Sequence, residues 1–488
     1  MKETKKRRNK IEEKESQKYK RNPEIMGIMY FFVFLFSLMI IYIGYVVYTQ
    51  QEELINNAYN PRLEMIAKQN IRGTIYSKDN DILAETKVSK NGKETRFYPY
   101  ENLFSHVIGY DTHGKLGIES LANYNLITSN ISVEKKAKNE LSGKKSMADS
   151  IVTTLDVDLQ QAAYDALGAY KGAAIIMEPS TGKILAMVSK PDFNPNEIPE
   201  IWDTIIHDKN STVLLNRATQ GLYPPGSTFK IVTALEFIRE NPETYQNYQY
   251  TCNGKFTLGN SSIQCYHGSV HGKVDLKKSF AKSCNSSFAN IGTNLNYSKF
   301  STTLKELLFN KELPMEFSYK KSSIAVTADT SDEEMIQMAI GQGTTQITPL
   351  HLAMITSAIA NDGTLMTPYV IDKIIDNDGT IVKQNEESKY GMFMTVSEAL
   401  VLKELMKAVV ESGTGTKLSG LSYTVAGKTG SAEYNGVKED SHAWFTGFAP
   451  VENPEIEVTV ILEGAGSGGD YAVPIAKRMM EAYFKKSK

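Results

Sequence analysis

The sequence predicts an α+β protein, with one antiparallel sheet of five strands packed by helices and a helical lobe inserted between the two halves of that sheet. Two strand-like runs, Ala173–Met177 and Lys183–Val188, flank a turn that contains Pro and Gly. Three more runs, 423–434, 442–448 and 457–462, lie near the C-terminus, and the short connections between them favour antiparallel pairing. The long stretch between the two groups has mostly helical periodicity.

The first 48 residues predict a membrane anchor. Residues 1–24 carry ten Lys or Arg against five acidic residues, and residues 25–48 contain no charge. As a helix at about 1.5 Å per residue, the uncharged run spans about 36 Å, enough for a bilayer core of about 30 Å. The basic tail places the N-terminus in the cytoplasm and exports the rest. The alternatives are a cleaved signal peptide, for which the run is too long, and a buried core helix, which rarely lacks charge for so long.

Residues 49–150 are expected to form a small, partly β module for support, spacing or dimerisation. Ile71–Tyr76 and Ile82–Ala84 predict two strands joined by a polar turn. The tract 134–150 is rich in Lys, Ser, Gly and Asp, which predicts an exposed loop or boundary. Residues 151–488 then form the main α/β domain.

The composition gives no reason to propose nucleic-acid binding, and it does not decide the role of the three cysteines. The 488 residues are 41% hydrophobic and 23% charged, as in ordinary globular proteins, and the net charge of −2 gives no reason to propose nucleic acid. Cys252 and Cys265 could form one disulfide outside the cell. With His267 and His271 they resemble a zinc site, but the first pair lacks the usual spacing. We expect a structural loop here, with or without a disulfide, no metal and no cofactor, and we assign Cys284 no chemistry.

The most informative stretch of the chain is 223–230, Tyr-Pro-Pro-Gly-Ser-Thr-Phe-Lys, which precedes an apolar-periodic run. It predicts a helix with Ser227 in its first turn and Lys230 on the same face, so that the amine reaches the hydroxyl. A serine is a weak nucleophile until a base lies beside it. Ser-x-x-Lys also occurs elsewhere in this chain, so the helix start and two later motifs must distinguish this copy.

Those motifs are Ser-Cys-Asn at 283–285 and Lys-Thr-Gly at 428–430, with a serine directly after. In this order the three motifs form a set typical of serine acyl-transfer enzymes. The set predicts eight site residues: Ser227, Lys230, Ser283, Asn285, Lys428, Thr429, Gly430 and Ser431.

Acyl transfer assigns a role to each. Ser227 is the predicted nucleophile, and Lys230 is the base if its pKa falls well below the ordinary value of about 10.4. Burial, the helix N-terminus and a second cation, Lys428, would lower that pKa. Ser283 is expected to pass protons, and Asn285 to hold a substrate amide.

The Lys-Thr-Gly strand is predicted to bind substrate at the edge of a cleft. Lys428 and Thr429 suit a carboxylate, and Gly430 would let a ligand strand approach closely. The backbone N–H groups of Ser227 and Ser431 form the predicted oxyanion hole.

With these motifs in place, the chain resembles the class B penicillin-binding proteins, which are monofunctional cell-wall transpeptidases. The resemblance covers residues 25–488 and includes four further phrases: Arg72–Ile75, Asn216–Thr219, Gly341–Gly343 and Ala443–Gly447. It implies the penicillin-binding transpeptidase fold in a single-pass protein of the bacterial cell membrane, with the catalytic domain outside the cell.

The resemblance also implies the reaction and its partners. Ser227 would attack the penultimate D-Ala carbonyl of a peptidoglycan stem peptide, release terminal D-Ala and pass the acyl group to an amine on a neighbouring strand. β-Lactams resemble the D-Ala-D-Ala end and would acylate the same serine. The implied protein partner is a membrane glycan polymerase of the elongation or division machinery.

Other functions share this motif set. A D,D-carboxypeptidase uses the same chemistry with water as acceptor, and sequence separates it poorly. A class A β-lactamase would need a glutamate-held water, and the chain contains no Glu-x-x-Leu-Asn. A membrane β-lactam sensor would require extra membrane spans or a cytoplasmic effector domain, and the basic residues 1–24 offer neither. The short region 49–150 leaves little room for the glycosyltransferase domain of a bifunctional class A protein. The chain also departs from the class B pattern at the turn 77–81, where the family more commonly has Asp-Arg-Asn-Gly; this puts only the hairpin of the small module in doubt.

Overall fold

A computed structural model describes residues 2–18, 23–56, 61–433 and 441–486, which form two units, 1–61 and 62–488. Several sequence predictions extend beyond the described residues: Tyr434 at the end of the predicted strand 423–434, parts of the predicted tail and small module (1, 19–22 and 57–60), and the last two residues of the predicted main domain (487–488).

The first unit contains a helix suited to a membrane. Its described elements are α1 (Lys2–Lys18) and α2 (Pro23–Asn56). Within α2, Pro23–Thr49 has a mean hydropathy of 2.4 and is not buried inside the protein, so it is long and apolar enough to cross a bilayer. The predicted span 25–48 lies wholly inside it.

The second unit begins with short elements. In chain order they are α3 (Pro61–Gln69), β1 (Asn70–Ile71), β2 (Ile75–Tyr76), β3 (Ile82–Val88), β4 (Glu94–Phe97), α4 (Ser105–Ile108), α5 (Gly117–Leu121), α6 (Asn123–Ile127), α7 (Val133–Leu141) and β5 (Ser146–Met147).

Two predictions for this region are wrong. Ile71–Tyr76 is not one strand: β1 pairs with β5, whereas β2 pairs with β3. The predicted strand is interrupted near Gly73, where a Cβ would lie 1.8 Å from the Asp149 carbonyl oxygen. The first part of the tract 134–150 is a helix rather than a loop, because α7 forms there and the Ser132 hydroxyl caps it by accepting from the Lys135 N–H.

The remaining elements form the main body. The first group is β6 (Ser150–Thr153), α8 (Val157–Leu167), β7 (Gly172–Met177), β8 (Ile184–Lys190), α9 (Ile198–His207), α10 (Lys230–Glu240), β9 (Tyr250–Cys252), β10 (Lys255–Leu258), β11 (Ser261–Gln264), β12 (Gly272–Val274), α11 (Leu276–Ala281), α12 (Asn285–Thr293), α13 (Tyr297–Glu306) and α14 (Asp332–Met338). The second is α15 (Pro349–Ala360), β13 (Thr364–Met366), β14 (Ile371–Ile375), β15 (Ile381–Gln384), β16 (Lys389–Met392), α16 (Val396–Ser412), β17 (Ala426–Glu433), β18 (Ser441–Ala449), β19 (Ile456–Leu462) and α17 (Val473–Lys486).

The predicted antiparallel sheet is confirmed. Its strand order is β17-β18-β19-β7-β8, and every neighbouring pair is antiparallel. The last three strands in sequence therefore pair with the first hairpin, and the helical lobe is inserted between them.

Helices cover both faces of this sheet. Ile176 of β7 packs in the cluster formed with α8 and α17, and its neighbour Ile175 packs in the cluster that includes α10, α15 and α16. Successive side chains of a strand point to opposite faces of the sheet, and here both faces are covered by helices. The side chains on both faces must therefore be apolar. The strands consequently appear in the sequence as continuous apolar runs.

A second sheet joins the early module to the main body. Its order is β15-β14-β6-β2-β3-β4, and β2 pairs with β6 in parallel. Residues 75–97 and 371–384 thus belong to one six-stranded sheet, which the sequence analysis did not predict.

Candidate active site

The Ser227 segment lies against β17. A short 3-10 turn, Gly226–Phe229, leads into α10. Gly226 has φ +53°, and a Cβ there would lie 2.9 Å from the Ala432 Cβ, so glycine permits the close approach. Ser227 is half-buried, and its hydroxyl has no hydrogen-bond partner among the described residues. The Ser227 hydroxyl is therefore free to meet a ligand.

Lys230 is fully buried at the start of α10. Its Nζ donates to the Ser283 carbonyl oxygen at 2.8 Å, to the Ser283 Oγ at 3.2 Å and to the Asn285 Oδ1 at 2.7 Å. The sequence predicted an amine that reaches Ser227, and in the structure these bonds go instead to the Ser-Cys-Asn loop. Burial lowers the pKa of Lys230 to about 7, although the thiols of Cys284 and Cys265 act in the opposite direction.

Lys428 reaches the same hydroxyl from β17. Its Nζ is fully buried and donates to the Ser283 Oγ at 3.0 Å and to the Thr429 carbonyl oxygen at 3.0 Å. Burial, and next the charge of Lys230, lower the pKa of Lys428 well below its ordinary value. Two ammonium groups on one buried oxygen repel each other, so the pair favours a neutral amine. The Lys428 amine therefore faces Ser283 rather than open solvent.

The Ser-Cys-Asn loop joins the two amines. Ser283 has φ +55°, a left-handed conformation that few serines adopt. Asn285 begins α12; its Oδ1 accepts from Lys230, and its Nδ2 donates to the Gln264 carbonyl oxygen at 2.9 Å. One N–H of that amide remains for a substrate.

The other predicted residues of β17 contact different neighbours. The Thr429 Oγ1 lies 2.5 Å from the Thr414 Oγ1, and the Ser431 Oγ accepts from the Gly468 N–H at 3.1 Å. A Cβ on Gly430 would lie 2.9 Å from the Pro225 carbonyl oxygen. The glycine therefore makes room for the chain's own segment before Ser227, in addition to any ligand.

Comparisons with known proteins identify the family of this chain. The family model described as the penicillin binding protein transpeptidase domain matches residues 172–481. This chain belongs to that family. The predicted class B resemblance and fold class are thereby confirmed.

Two curated relatives of this penicillin-binding protein are mycobacterial. The peptidoglycan D,D-transpeptidase PbpA of Mycolicibacterium smegmatis is 29% identical over 422 residues, which cover 80% of this chain and 84% of the relative. PbpA of Mycobacterium tuberculosis is 30% identical over 366 residues, 70% and 73% of the two chains.

A solved structure matches at the level of the fold. Penicillin-binding protein A of M. tuberculosis, as a ceftriaxone acyl-enzyme complex, superposes with a TM-score of 0.79 at 26% identity, covering 86% of this chain and 99% of the other. The similarity therefore extends beyond the motifs to most of the chain.

Three residues of this penicillin-binding protein that contact the site were missed by sequence reasoning: Gln264, Thr414 and Gly468. The glycines on either side of Thr414 do not need a positive φ. Gly413 has a φ of −107°; a Cβ there would lie 2.2 Å from the Ala281 carbonyl oxygen, so close packing explains the glycine. The Gly-Thr-Gly pattern was the available signal for Thr414.

Thr414→Val is expected to weaken substrate use by this penicillin-binding protein. The change removes the hydroxyl that pairs with the Thr429 Oγ1, and one neutral hydrogen bond contributes about 1 kcal/mol, or roughly fivefold. Second-order rate constants for acylation by penicillin measure the effect. Thr416→Val, two residues along on the exposed surface, is the control and should acylate like the wild type. Equal rates for all three proteins would contradict the role of Thr414.

Proposed function

We propose that this penicillin-binding protein is a membrane-anchored serine D,D-transpeptidase that cross-links peptidoglycan stem peptides. The observation that carries the proposal is the meeting of two buried amines, those of Lys230 and Lys428, on the Ser283 hydroxyl. Lys230 follows Ser227 by one helical turn, and the Ser227 hydroxyl has no partner among the described residues. Buried amines with lowered pKa are suited to accept a proton near neutral pH.

In the first half of the reaction, Ser227 is the nucleophile. Its hydroxyl proton passes to the neutral amine of Lys230 while its Oγ bonds to the penultimate D-Ala carbonyl carbon. The backbone N–H groups of Ser227 and Ser431 hold the oxygen that becomes negative. When the carbon–nitrogen bond to terminal D-Ala breaks, the leaving nitrogen takes a proton through Ser283, which both lysines contact.

In the second half, an amine of a neighbouring stem peptide attacks the acyl carbon. The amine gives a proton to Lys230 and forms a peptide bond, and Lys230 returns that proton to the Ser227 Oγ as the ester bond breaks. A β-lactam follows the first half only: its ring amide opens onto Ser227, and the leaving nitrogen stays attached and blocks the acceptor. The Thr429–Thr414 hydroxyl pair lies where the substrate carboxylate is expected.

The rest of the chain serves this site in the proposed arrangement. The apolar stretch Pro23–Thr49 anchors the protein in the bacterial membrane, and the basic residues 1–24 keep the N-terminus in the cytoplasm. Residues 49–150 are a supporting module and 151–488 the catalytic domain. A glycan polymerase in the same membrane is the proposed partner, because cross-linking needs newly made strands.

An exchange assay tests the transpeptidase activity. The full-length protein in detergent is incubated with a stem peptide that ends in D-Ala-D-Ala and with a D-amino acid as acceptor, and the products are separated by mass spectrometry. We expect terminal D-Ala to be replaced by the acceptor. Release of D-Ala with water alone as acceptor, at every acceptor concentration, would instead indicate a D,D-carboxypeptidase.

A further inference from the structure

A second cluster of reactive side chains lies directly behind the Ser-Cys-Asn loop. Cys252, Cys265, His271 and Cys284 each offer one ligand atom, and these four atoms all lie within 4.8 Å of one another. The three cysteines are almost completely buried, at 0%, 2% and 0% exposure, and none is bonded to another. Cys284 is the middle residue of the motif that receives Lys230.

We propose that these four residues bind one Zn²⁺ and that this ion anchors the Ser283–Asn285 loop. Cys3His is a common ligand set of structural zinc sites. The spacing of Cys252 and Cys265 alone disfavours zinc, but the folded chain adds Cys284 from a distant helix start. The proposal concerns a site next to the one that carries the proposed function, and only its anchoring role rests on that function.

Three of the six ligand-to-ligand distances match a tetrahedral ion, and all six are 4.8 Å or shorter. With Zn–S near 2.3 Å and Zn–N near 2.05 Å, tetrahedral ligands lie about 3.8 Å apart for two sulfurs and about 3.6 Å for sulfur and nitrogen. The Cys252 and Cys265 sulfurs are 3.6 Å apart, those of Cys265 and Cys284 are 3.7 Å apart, and the Cys252 Sγ lies 3.5 Å from the His271 Nδ1.

Each sulfur also has a neighbour that can donate to a thiolate. The Gly254 N–H donates to the Cys252 Sγ at 3.4 Å, and the Ser287 N–H donates to the Cys284 Sγ at 3.4 Å. The Ser286 hydroxyl lies 3.2 Å from the Cys265 Sγ. Such outer contacts orient metal ligands and support their charged form.

A metal ion would engage all four side chains of the cluster, whereas a disulfide would engage only two. Three thiols can form one bridge and leave one thiol over, and that bridge would not include His271. The four ligands come from four segments: the end of β9, the turn after β11, the residue before β12 and the start of α12. One ion therefore ties together all of the small β-structure between α10 and α11.

This β-structure has only a small buried cluster of its own, although Ile263 of β11 also packs against the main core. The buried apolar cluster here consists of the three cysteines, with the partly buried Tyr250 packed against them. A metal that ties its segments together would add stability to so small a cluster. Because Cys284 lies between Ser283 and Asn285, the ion also fixes the backbone whose oxygens accept from Lys230.

The test begins with metal content. Full-length protein purified in detergent is analysed by mass spectrometry for zinc, iron, copper and cobalt. We expect about one zinc per chain in the wild type and in Ser227→Ala, which keeps this result separate from the proposed function. No bound metal, a different metal in place of zinc, or a Cys252–Cys265 disulfide would overturn the proposal.

Matched histidine variants identify the ligand. His271→Asn should lose the zinc, whereas His267→Asn should keep it, because His267 is exposed and asparagine tolerates its φ of +50°. His271→Cys should also keep the zinc, since thiolate replaces imidazole in such sites. This last variant guards against a His271→Asn protein that simply fails to fold. Zinc retained in His271→Asn would overturn the ligand assignment.

Acylation kinetics test the anchoring role. The His271→Asn protein should be acylated by penicillin at least about tenfold more slowly, with a shifted pH profile because the loop around Lys230 is loosened. His271→Cys should restore both the rate and the pH profile. A zinc-free His271→Asn protein with the wild-type rate and pH profile would overturn the anchoring role.

Discussion

Ser227→Ala is expected to abolish covalent labelling by penicillin. Removing the nucleophile of a serine acyl-transfer site lowers the rate by about 10⁴-fold or more. The stability of the protein should not change, because the Ser227 hydroxyl bonds no other side chain or backbone group in the described part of the chain. Fluorescent penicillin incubated with the full-length protein, followed by denaturing electrophoresis, measures the adduct.

The chain offers a matched control for this experiment. Ser180 and Lys183 repeat the Ser-x-x-Lys spacing, but Ser180 lies exposed in the turn between β7 and β8. Ser180→Ala should label like the wild type. Labelling of Ser227→Ala at the wild-type rate would place the nucleophile elsewhere.

Lys230→Met is expected to slow acylation by about 10²–10⁴-fold and to remove its pH dependence near neutrality. In the wild type the base must be uncharged, and the pKa of Lys230 is lowered to about 7. The acylation rate should therefore rise as the pH rises through about 7 and level off above it. Because Lys428 shares the Ser283 hydroxyl, the apparent pKa belongs to the pair of amines.

The same shift affects stability, with a definite sign. The folded pKa of Lys230 lies near 7 and its ordinary value is 10.5, so between these values the unfolded chain binds a proton that the folded chain does not. The free energy of unfolding should rise with pH across this window, and Lys230→Met should flatten the rise.

Lys282→Met is the control for both lysine measurements. Lys282 adjoins Ser283, but its side chain is exposed and donates to the Ser412 carbonyl oxygen at 2.6 Å. Its removal should leave the pH–rate profile in place. A flat wild-type profile between pH 6 and 8, by stopped-flow acylation, would contradict a neutral Lys230.

The features that could be predicted from the sequence are those that depend on residues close together along the chain. The hairpin of β7 and β8 follows from apolar runs around a Pro- and Gly-containing turn. The three motifs were recognised because order and spacing are visible in a sequence. All eight predicted site residues lie on the segments that surround Ser227 and Ser283.

What sequence could not supply depends on tertiary contact. The break at Gly73 arises from the distant Asp149 carbonyl, and the glycine at 413 from the Ala281 carbonyl. The lysines meet on Ser283 only because β17 is brought beside α10 by pairing with β18. Likewise Cys284 lies 32 positions after Cys252, so no local spacing joins it to the other cysteines.

A crystal structure of the full-length penicillin adduct tests the account most directly. It should show an ester bond at the Ser227 Oγ, with the acyl oxygen between the N–H groups of Ser227 and Ser431, and with both lysine amines still in contact with the Ser283 hydroxyl. An ester at another residue, or a Ser283 hydroxyl separated from both amines around the adduct, would contradict it.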